Sequence, residues 1–370
     1  MKQYLFLALA VCLTLSCREK AAEEPALIHA TYSVLSRIVP EELFPERQQD
    51  YDFHYLQAMP YWRPEEFDAP LAEILRAKVD THRFERQATL DAYLDVVHKA
   101  GRQVYLSWSG GRFIGIATDP ARRAKFARYT ACFARHHGFD GLELDWEGTV
   151  TKELHMALIG EMRTALDSLG ALDGRHYGLT TALNSEHNYT QAEADSLSAI
   201  LDWVNIMYYD MGGGYWARRG THNTPLPDIQ ANYESNWSRF DPKKIHIGLA
   251  SYGYRYDGIL PGEEVPEGRK MSEYAQDFFV RDMPALLEAG WTESWDEAAQ
   301  CPYYFAPDSS AFVTADNERS LDAKLAWIRE KGFGGIFWWE YHCDFIPEQA
   351  RHVLMDYVVG RISQPETISP

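Results

Sequence analysis

Between residues 138 and 148 the chain reads GFDGLELDWEG, which sets Glu143, Asp145 and Glu147 at every second position with Leu142, Leu144 and Trp146 between them. In an extended strand, successive side chains point to opposite faces and rise ~3.3 Å per residue. The three acids therefore share one face at ~6.6 Å spacing, and the apolar set takes the other. At an effective dielectric of ~20, carboxylates at that spacing repel by roughly 2.5 kcal/mol per ionised pair, close to two pKa units. At least one is expected to keep its proton near neutrality, and a retained proton is what a general acid needs to protonate a leaving oxygen. The same alternation also describes an exposed antiparallel strand whose polar side meets water, so the surrounding elements must decide.

Eight short apolar segments recur along the chain: LIHATYSV, FHYLQAMP, QVYLSWSG, GLELDWEG, YGLTTALN, WVNIMYYD, IHIGLASYG and GGIFWWEYH. Helical stretches separate most of them. Between the third and fourth, Asp119 is placed to cap a helix that begins with Pro120, carries Phe126, Tyr129 and Phe133 on one stripe and ends at Gly138; His136 and His137 then sit at its negative end. After the fourth, Leu154, Leu158, Met162, Leu166 and Leu169 predict a second amphipathic helix closed by Gly170. Strand and helix alternating eight times predict an α/β chain folded as a (β/α)8 TIM barrel over residues 27–360. A small insertion is expected at about 255–312, between strands seven and eight, with PGEEVPEGRK (261–270) as a mobile loop. In such a barrel the strands are parallel and covered on both sides, so the water-facing reading loses its basis. Leu142, Leu144 and Trp146 face the helices, while the acids point inward and climb toward the C-terminal mouth, where these folds keep their chemistry.

With 370 residues and 46% hydrophobic content the chain is long enough for one large core, and its net charge of −18 repels phosphate backbones, so no nucleic-acid partner is expected. The start, MKQYLFLALAVCLTLSCREKA, has Lys2, an apolar run and small Ser16 before Cys17, the pattern of a signal peptide over residues 1–16. Its end is similar to a bacterial lipoprotein cleavage box. On that reading Cys17 is the lipidated residue, 17–26 a short tether, and the protein an exported envelope protein of the outer membrane or cell surface, held to a membrane only through its lipid anchor; ordinary secretory cleavage is the competing reading and makes it a secreted protein. Residues 361–370 read as a C-terminal tail. Three cysteines remain, Cys132, Cys301 and Cys343, an odd number that argues against a disulfide scaffold; no metal site or cofactor is expected, and the chain is expected to act as a monomer.

The sequence resembles glycoside hydrolase family 18, the chitinases and endo-β-N-acetylglucosaminidases, whose fourth strand carries Asp-Gly-x-Asp-x-Asp-x-Glu. Asp140, Gly141, Asp145 and Glu147 match, and Glu143 replaces the middle aspartate. NIMYYD is similar to the family's Met-x-Tyr-Asp and supplies Met207, Tyr209 and Asp210, GLASYGY to its Tyr-Gly, and GGIFWWEY ends on the family's tryptophan, Trp339. In the third strand, SWSGG fits the family's Ser-x-Gly-Gly only with one extra residue after Ser107 or with Trp108 in place of the serine.

The resemblance implies that Glu147 is the general acid and then base, that Asp145 orients the substrate's own N-acetyl group as nucleophile, and that Tyr209 hydrogen-bonds that group. It implies substrate binding by Asp210, Met207, Trp339, Glu143 and Asp140. Aromatics that follow strands, Tyr61 with Trp62, Tyr215 with Trp216 and Tyr252 with Tyr254, suit either stacking on sugars or rim packing; Tyr252 and Trp216 are taken as substrate contacts. The implied partner is an N-acetylglucosamine-containing oligo- or polysaccharide, cleaved at β-1,4 linkages with retention. A non-catalytic glycan-binding protein of the same fold is the alternative.

Overall fold

Each of the eight apolar segments contains a strand in the computed structural model, which describes residues 26–58, 69–76, 80–81, 84–110, 113–148, 150–184 and 187–363. Cys17, the leader, Tyr61, Trp62 and residues 364–370 lie outside the described residues. The strands are β1 (Ile28–Val34), β2 (Phe53–Gln57), β3 (Gln103–Gly110), β4 (Gly141–Trp146), β5 (Gly178–Leu183), β6 (Trp203–Ile206), β7 (Ile245–Ala250) and β8 (Gly335–Trp339). Each pairs in parallel with its chain neighbour, β7 with β8 across the intervening insertion; β1 pairs with both β2 and β8, which closes the barrel.

Alternation within β4 divides inside from outside. Leu142, Leu144 and Trp146 are fully buried against the helical layer, Trp146 with its ring 5.8 Å from that of Phe113. Burial of each such side chain stabilises the fold by roughly 1.5–3 kcal/mol. Inside, Tyr32, Tyr55, Tyr105, Trp203 and Phe337 fill the barrel as one aromatic cluster. Tyr105 sits opposite Gly141, which in turn pairs with Gly178. A Cβ on Gly178 would lie 1.9 Å from the Tyr105 hydroxyl, so only glycine leaves room for that ring.

The helix Pro120–His137 forms as its caps require: the Asp119 carboxylate accepts from the N–H groups of Ala121 and Arg122, and Gly138 ends it at φ 86°. The second helix runs further than expected. It spans Lys152–Asp173 and passes through Gly170 to a left-handed Gly174. Gly170 lies inside the last turns because the Arg175 carbonyl closes to 2.5 Å of where its Cβ would stand, a packing demand rather than a stop signal.

The insertion is wider than 255–312. It is a five-stranded antiparallel sheet from Tyr252–Asp257 to Ala311–Thr314, with Ala275–Phe279, Thr292–Asp296 and Cys301–Phe305 between. The chain leaves β7 at Ala250 and enters this sheet at Tyr252, with Ser251 alone between, so Tyr252 and Tyr254 belong to the insertion. Segment 261–270 is docked rather than loose: Val265 is buried and donates its N–H to the Arg218 carbonyl, and Arg219 pairs with Glu264. The final helix, Met355–Ile362, runs two residues into the stretch read as a tail.

Candidate active site

The fourth strand carries acids at both ends. Asp140 precedes its first residue, roughly 16 Å of extended chain before Asp145. At this foot of the barrel the Asp140 carboxylate accepts from the Val104 N–H at 2.9 Å, from His98 Nε2 at 2.9 Å and from Arg175 at 2.5 Å. Burial by itself would raise its pKa, but those hydrogen bonds outweigh it and hold the group below the ordinary aspartate value.

Two residues into β4, Glu143 is completely buried. The Tyr32 hydroxyl and Asn205 Nδ2 both donate to its Oε1, the latter at 2.6 Å, and Asn205 also donates to Tyr32 at 3.0 Å. Ser107 on β3 and Thr180 on β5 stand opposite Glu143 in the register and flank it with hydroxyls. Burial lifts its pKa, these four donors pull it back, and the balance is about 7.

Asp145, one layer higher, is buried, and among the described residues no ion pair reaches it. Gln57 Nε2 approaches Oδ2 at 3.4 Å, and Ser109 lies opposite on β3. Burial, then the charges of Glu147 and Glu143, push its pKa well above the usual carboxylate range; Ser109 and Gln57 offset only part of that. Glu147, just past the strand end, is exposed at the mouth, its N–H bonded to the Gly110 carbonyl at 3.2 Å. The stack thus runs from a fully buried acid held by donors at one oxygen, through an electrostatically crowded one, to an acid open to solvent.

The chain beyond β6 brings Met207, Tyr209 and Asp210 to the same mouth. Met207 and Tyr209 pack against the aromatic filling of the barrel together with Trp339, whose ring lies 5.5 Å from that of Tyr32. Burial and the neighbouring charges of Asp145 and Glu147 raise the Tyr209 pKa, so its hydroxyl is a donor at any working pH. Asp210 adopts a left-handed φ of 58°, and its Oδ1 accepts from Tyr252 at 2.8 Å and Tyr254 at 2.5 Å. Burial raises its pKa and the two tyrosines counter it in part. Trp216 is 84% exposed on the rim, its ring 5.8 Å from Tyr215, which in turn lies 5.8 Å from Tyr254 and donates to Asp277.

Two expectations are corrected. Asp140 is not a substrate contact: it lies at the opposite end of the barrel from Glu147 and is consumed by structural partners. Glu143 is not one either, because its carboxyl is sealed beneath Asp145. The register places Ser107 opposite Glu143 and Ser109 opposite Asp145, while Trp108 points out to Phe126 and Phe133. Sequence reasoning missed Tyr32, Asn205, Tyr254 and Gln57. Asn205 had a signal, a lone amide inside the apolar strand WVNI, where a buried polar group implies a partner. Among the described residues no group of three or more His, Cys, Asp or Glu is placed to hold a metal ion.

Residues 48–344 match the family model for glycosyl hydrolases family 18. The chain is 29% identical over 276 residues to chitinase A1 of Niallia circulans, covering 64% of this chain and 39% of that protein. It spans about half the length of the curated relatives it matches. Among solved structures, a GH18 chitinase from Cycas revoluta in complex with (GlcNAc)3 superposes with TM-score 0.70 at 20% identity, over 91% of this chain and 98% of that one. A GH18 N-acetylglucosaminidase from Paenibacillus barengoltzii gives TM-score 0.70 at 23% identity, over 90% and 99%. The two structures share the fold of this chain.

Proposed function

The chain belongs to glycosyl hydrolases family 18, and on that premise we propose that it is a glycosidase cleaving β-1,4 linkages after N-acetylglucosamine, in chitin-like chains or glycoprotein glycans, with retention of configuration. The observation that carries this reading is the acid stack on β4, with a solvent-open Glu147 above an Asp145 whose charge is opposed by burial and by both neighbours. Relatives named chitinases and a structural neighbour holding (GlcNAc)3 support the substrate class.

In this reading Glu147 protonates the glycosidic oxygen as the bond to the anomeric carbon breaks, and the substrate's own acetamido oxygen forms the new bond on the opposite face. Asp145 faces the acetamido N–H and balances the positive charge that develops there. Tyr209, kept protonated, donates to the acetamido oxygen. Glu147 then takes a proton from the water that opens the intermediate, which returns the β configuration. Trp339 floors the sugar, Met207 packs beside it, Asp210 and Tyr252 hold its rim, and Trp216 offers a stacking face further out.

Replacing Glu147 with Gln is expected to reduce hydrolysis of chitooligosaccharides by at least ~100-fold while binding survives. Full activity in Glu147→Gln, an inverted product by NMR, or cleavage of substrates without N-acetyl groups would each refute the mechanism. Tight binding with no turnover by the unaltered protein would favour the glycan-binding alternative. We further propose export and lipidation at Cys17, supported by the Lys2, apolar-run and Ser16-Cys17 pattern. Cys17→Ala is expected to move the protein from the membrane to the soluble fraction.

A further inference from the structure

After β6 the chain makes a long excursion before the helix Leu226–Asn232, and this excursion carries Met207, Tyr209, Asp210 and Trp216. Asp210 stands in it with a φ of 58°, a region uncommon for residues with a Cβ although aspartate tolerates it better than most. Its neighbours fix it there.

Asn223 does so. It is buried, and its Oδ1 accepts the Asp210 N–H at 2.7 Å. Its Nδ2 donates to the Tyr252 carbonyl at 3.0 Å, and its main-chain carbonyl accepts the Met211 N–H at 3.0 Å. Because the Tyr252 hydroxyl donates back to the Asp210 carboxylate, a ring of hydrogen bonds closes: amide to strand, strand hydroxyl to acid, acid backbone to amide. The next residue anchors the ring. The Thr224 hydroxyl donates to Asp316 at 3.0 Å and accepts from Lys324 at 2.9 Å; Lys324 and Asp316 form a buried ion pair, and Ser320 donates to Asp316 at 2.7 Å. Lys324 and Ser320 belong to the helix Glu318–Lys331 and Asp316 lies just before it, so the clamp is tied to the outer layer of the barrel.

We propose that Asn223 is a positioning residue for the reaction, fixing the Asp210 carboxylate against Tyr252 and Tyr254 so that the acid meets the sugar at a set place; this rests on the glycosidase reading above. The chemistry of the amide is specific. It presents one acceptor and one donor to opposite sides, toward an N–H and a carbonyl. Aspartate would turn an oxygen against the Tyr252 carbonyl, and alanine would leave both backbone groups buried and unpaired.

The test compares hydrolysis of N-acetylchitotetraose by the full chain with Asp210→Asn, Asn223→Ala, Asn223→Asp and the double variant Asp210→Asn/Asn223→Ala, with kcat and KM measured well below each melting temperature. Loss of the clamp is expected to lower kcat/KM by ~10-fold or more, as for a reacting group set loose by about 1 Å. Asn223→Asp, which keeps the acceptor for Asp210, should fall less and serves if the alanine variant folds poorly. The double variant should be no slower than Asp210→Asn, because both changes remove one unit. Losses that multiply, or a lowered melting temperature with kcat and KM unchanged, would overturn the positioning role alone. Failure of the unaltered protein to cut would overturn the glycosidase reading and this proposal with it; Asp210→Asn cutting as fast as the unaltered protein would overturn the role of Asp210 and this proposal while the glycosidase reading stands.

Discussion

Asp140 and Asp145 stand five positions apart on one strand and meet opposite surroundings. At the foot, Asp140 gathers His98, Arg175 and the Val104 N–H, and its pKa lies below the ordinary value. At the mouth, Asp145 faces Glu143 below and Glu147 above, Gln57 and Ser109 offset them in part, and its pKa is raised. A carboxylate that the fold has compensated stabilises that fold; one left uncompensated costs stability and holds back reactivity for something that arrives later. The barrel thus keeps its structural and its chemical acids at opposite ends of the same element.

The largest effect that tests this contrast is on turnover. Asp145→Asn is expected to lower kcat by on the order of 10³-fold while leaving the melting temperature unchanged or raised, since a repelled buried charge has gone. A melting temperature that falls with activity would place Asp145 among the structural acids.

The next effect is on stability against pH. Glu143 has a folded pKa of about 7 against 4.5 for the free group. A raised carboxylate pKa means the ionised form is disfavoured by folding, so the penalty is present above pH 7, shrinks as pH falls through 7 and is gone below about 4.5. Glu143→Gln, which still accepts from Tyr32 and Asn205, is expected to be more stable than the parent by ~3 kcal/mol near pH 8 and equal to it near pH 4, as read by urea denaturation at both values. An equal gain at both would show that charge is not the cause.

Asp140 has the reverse sign. Its lowered pKa contributes stability above the free-group value of 3.8 that is lost as pH falls toward the folded pKa. Asp140→Asn is expected to cost about 1–2 kcal/mol near pH 7, to cost nothing in strong acid, and to leave kcat unchanged. A kcat loss in Asp140→Asn would return that residue to the site.

The smallest effect is expected from Glu143→Asp, which withdraws the buried carboxyl by one methylene from Asp145. It should shift the pH optimum and raise kcat by a few-fold at most. Identical rate and pH profile would make Glu143 a bystander.

The alternation in GLELDWEG was enough to separate Glu143, Asp145 and Glu147 from Leu142, Leu144 and Trp146, because side-chain parity in a strand is a local property. The helix 120–137 was equally legible, since Asp119, Pro120 and Gly138 act within one turn of their own positions. The partners that each acid meets at its depth were not. Asp140 and Asp145 lie in the same motif, and only the fold brings Arg175 and His98 to Asp140, and Tyr32 and Asn205 to Glu143 beneath Asp145. The Tyr32–Glu143 bond joins residues 111 positions apart, and the Thr224–Asp316 bond residues 92 apart. No period or spacing encodes such pairs, because they exist only once the barrel has closed and the insertion has docked. The end of the second helix is a local matter by contrast: Gly170 and Gly174 lie about one turn apart, and Gly174, not Gly170, takes the left-handed cap. Local sterics and alternation are written residue by residue; which carboxylate is neutralised, which is crowded and which left-handed aspartate is clamped by Asn223 depends on chain segments that meet only in three dimensions.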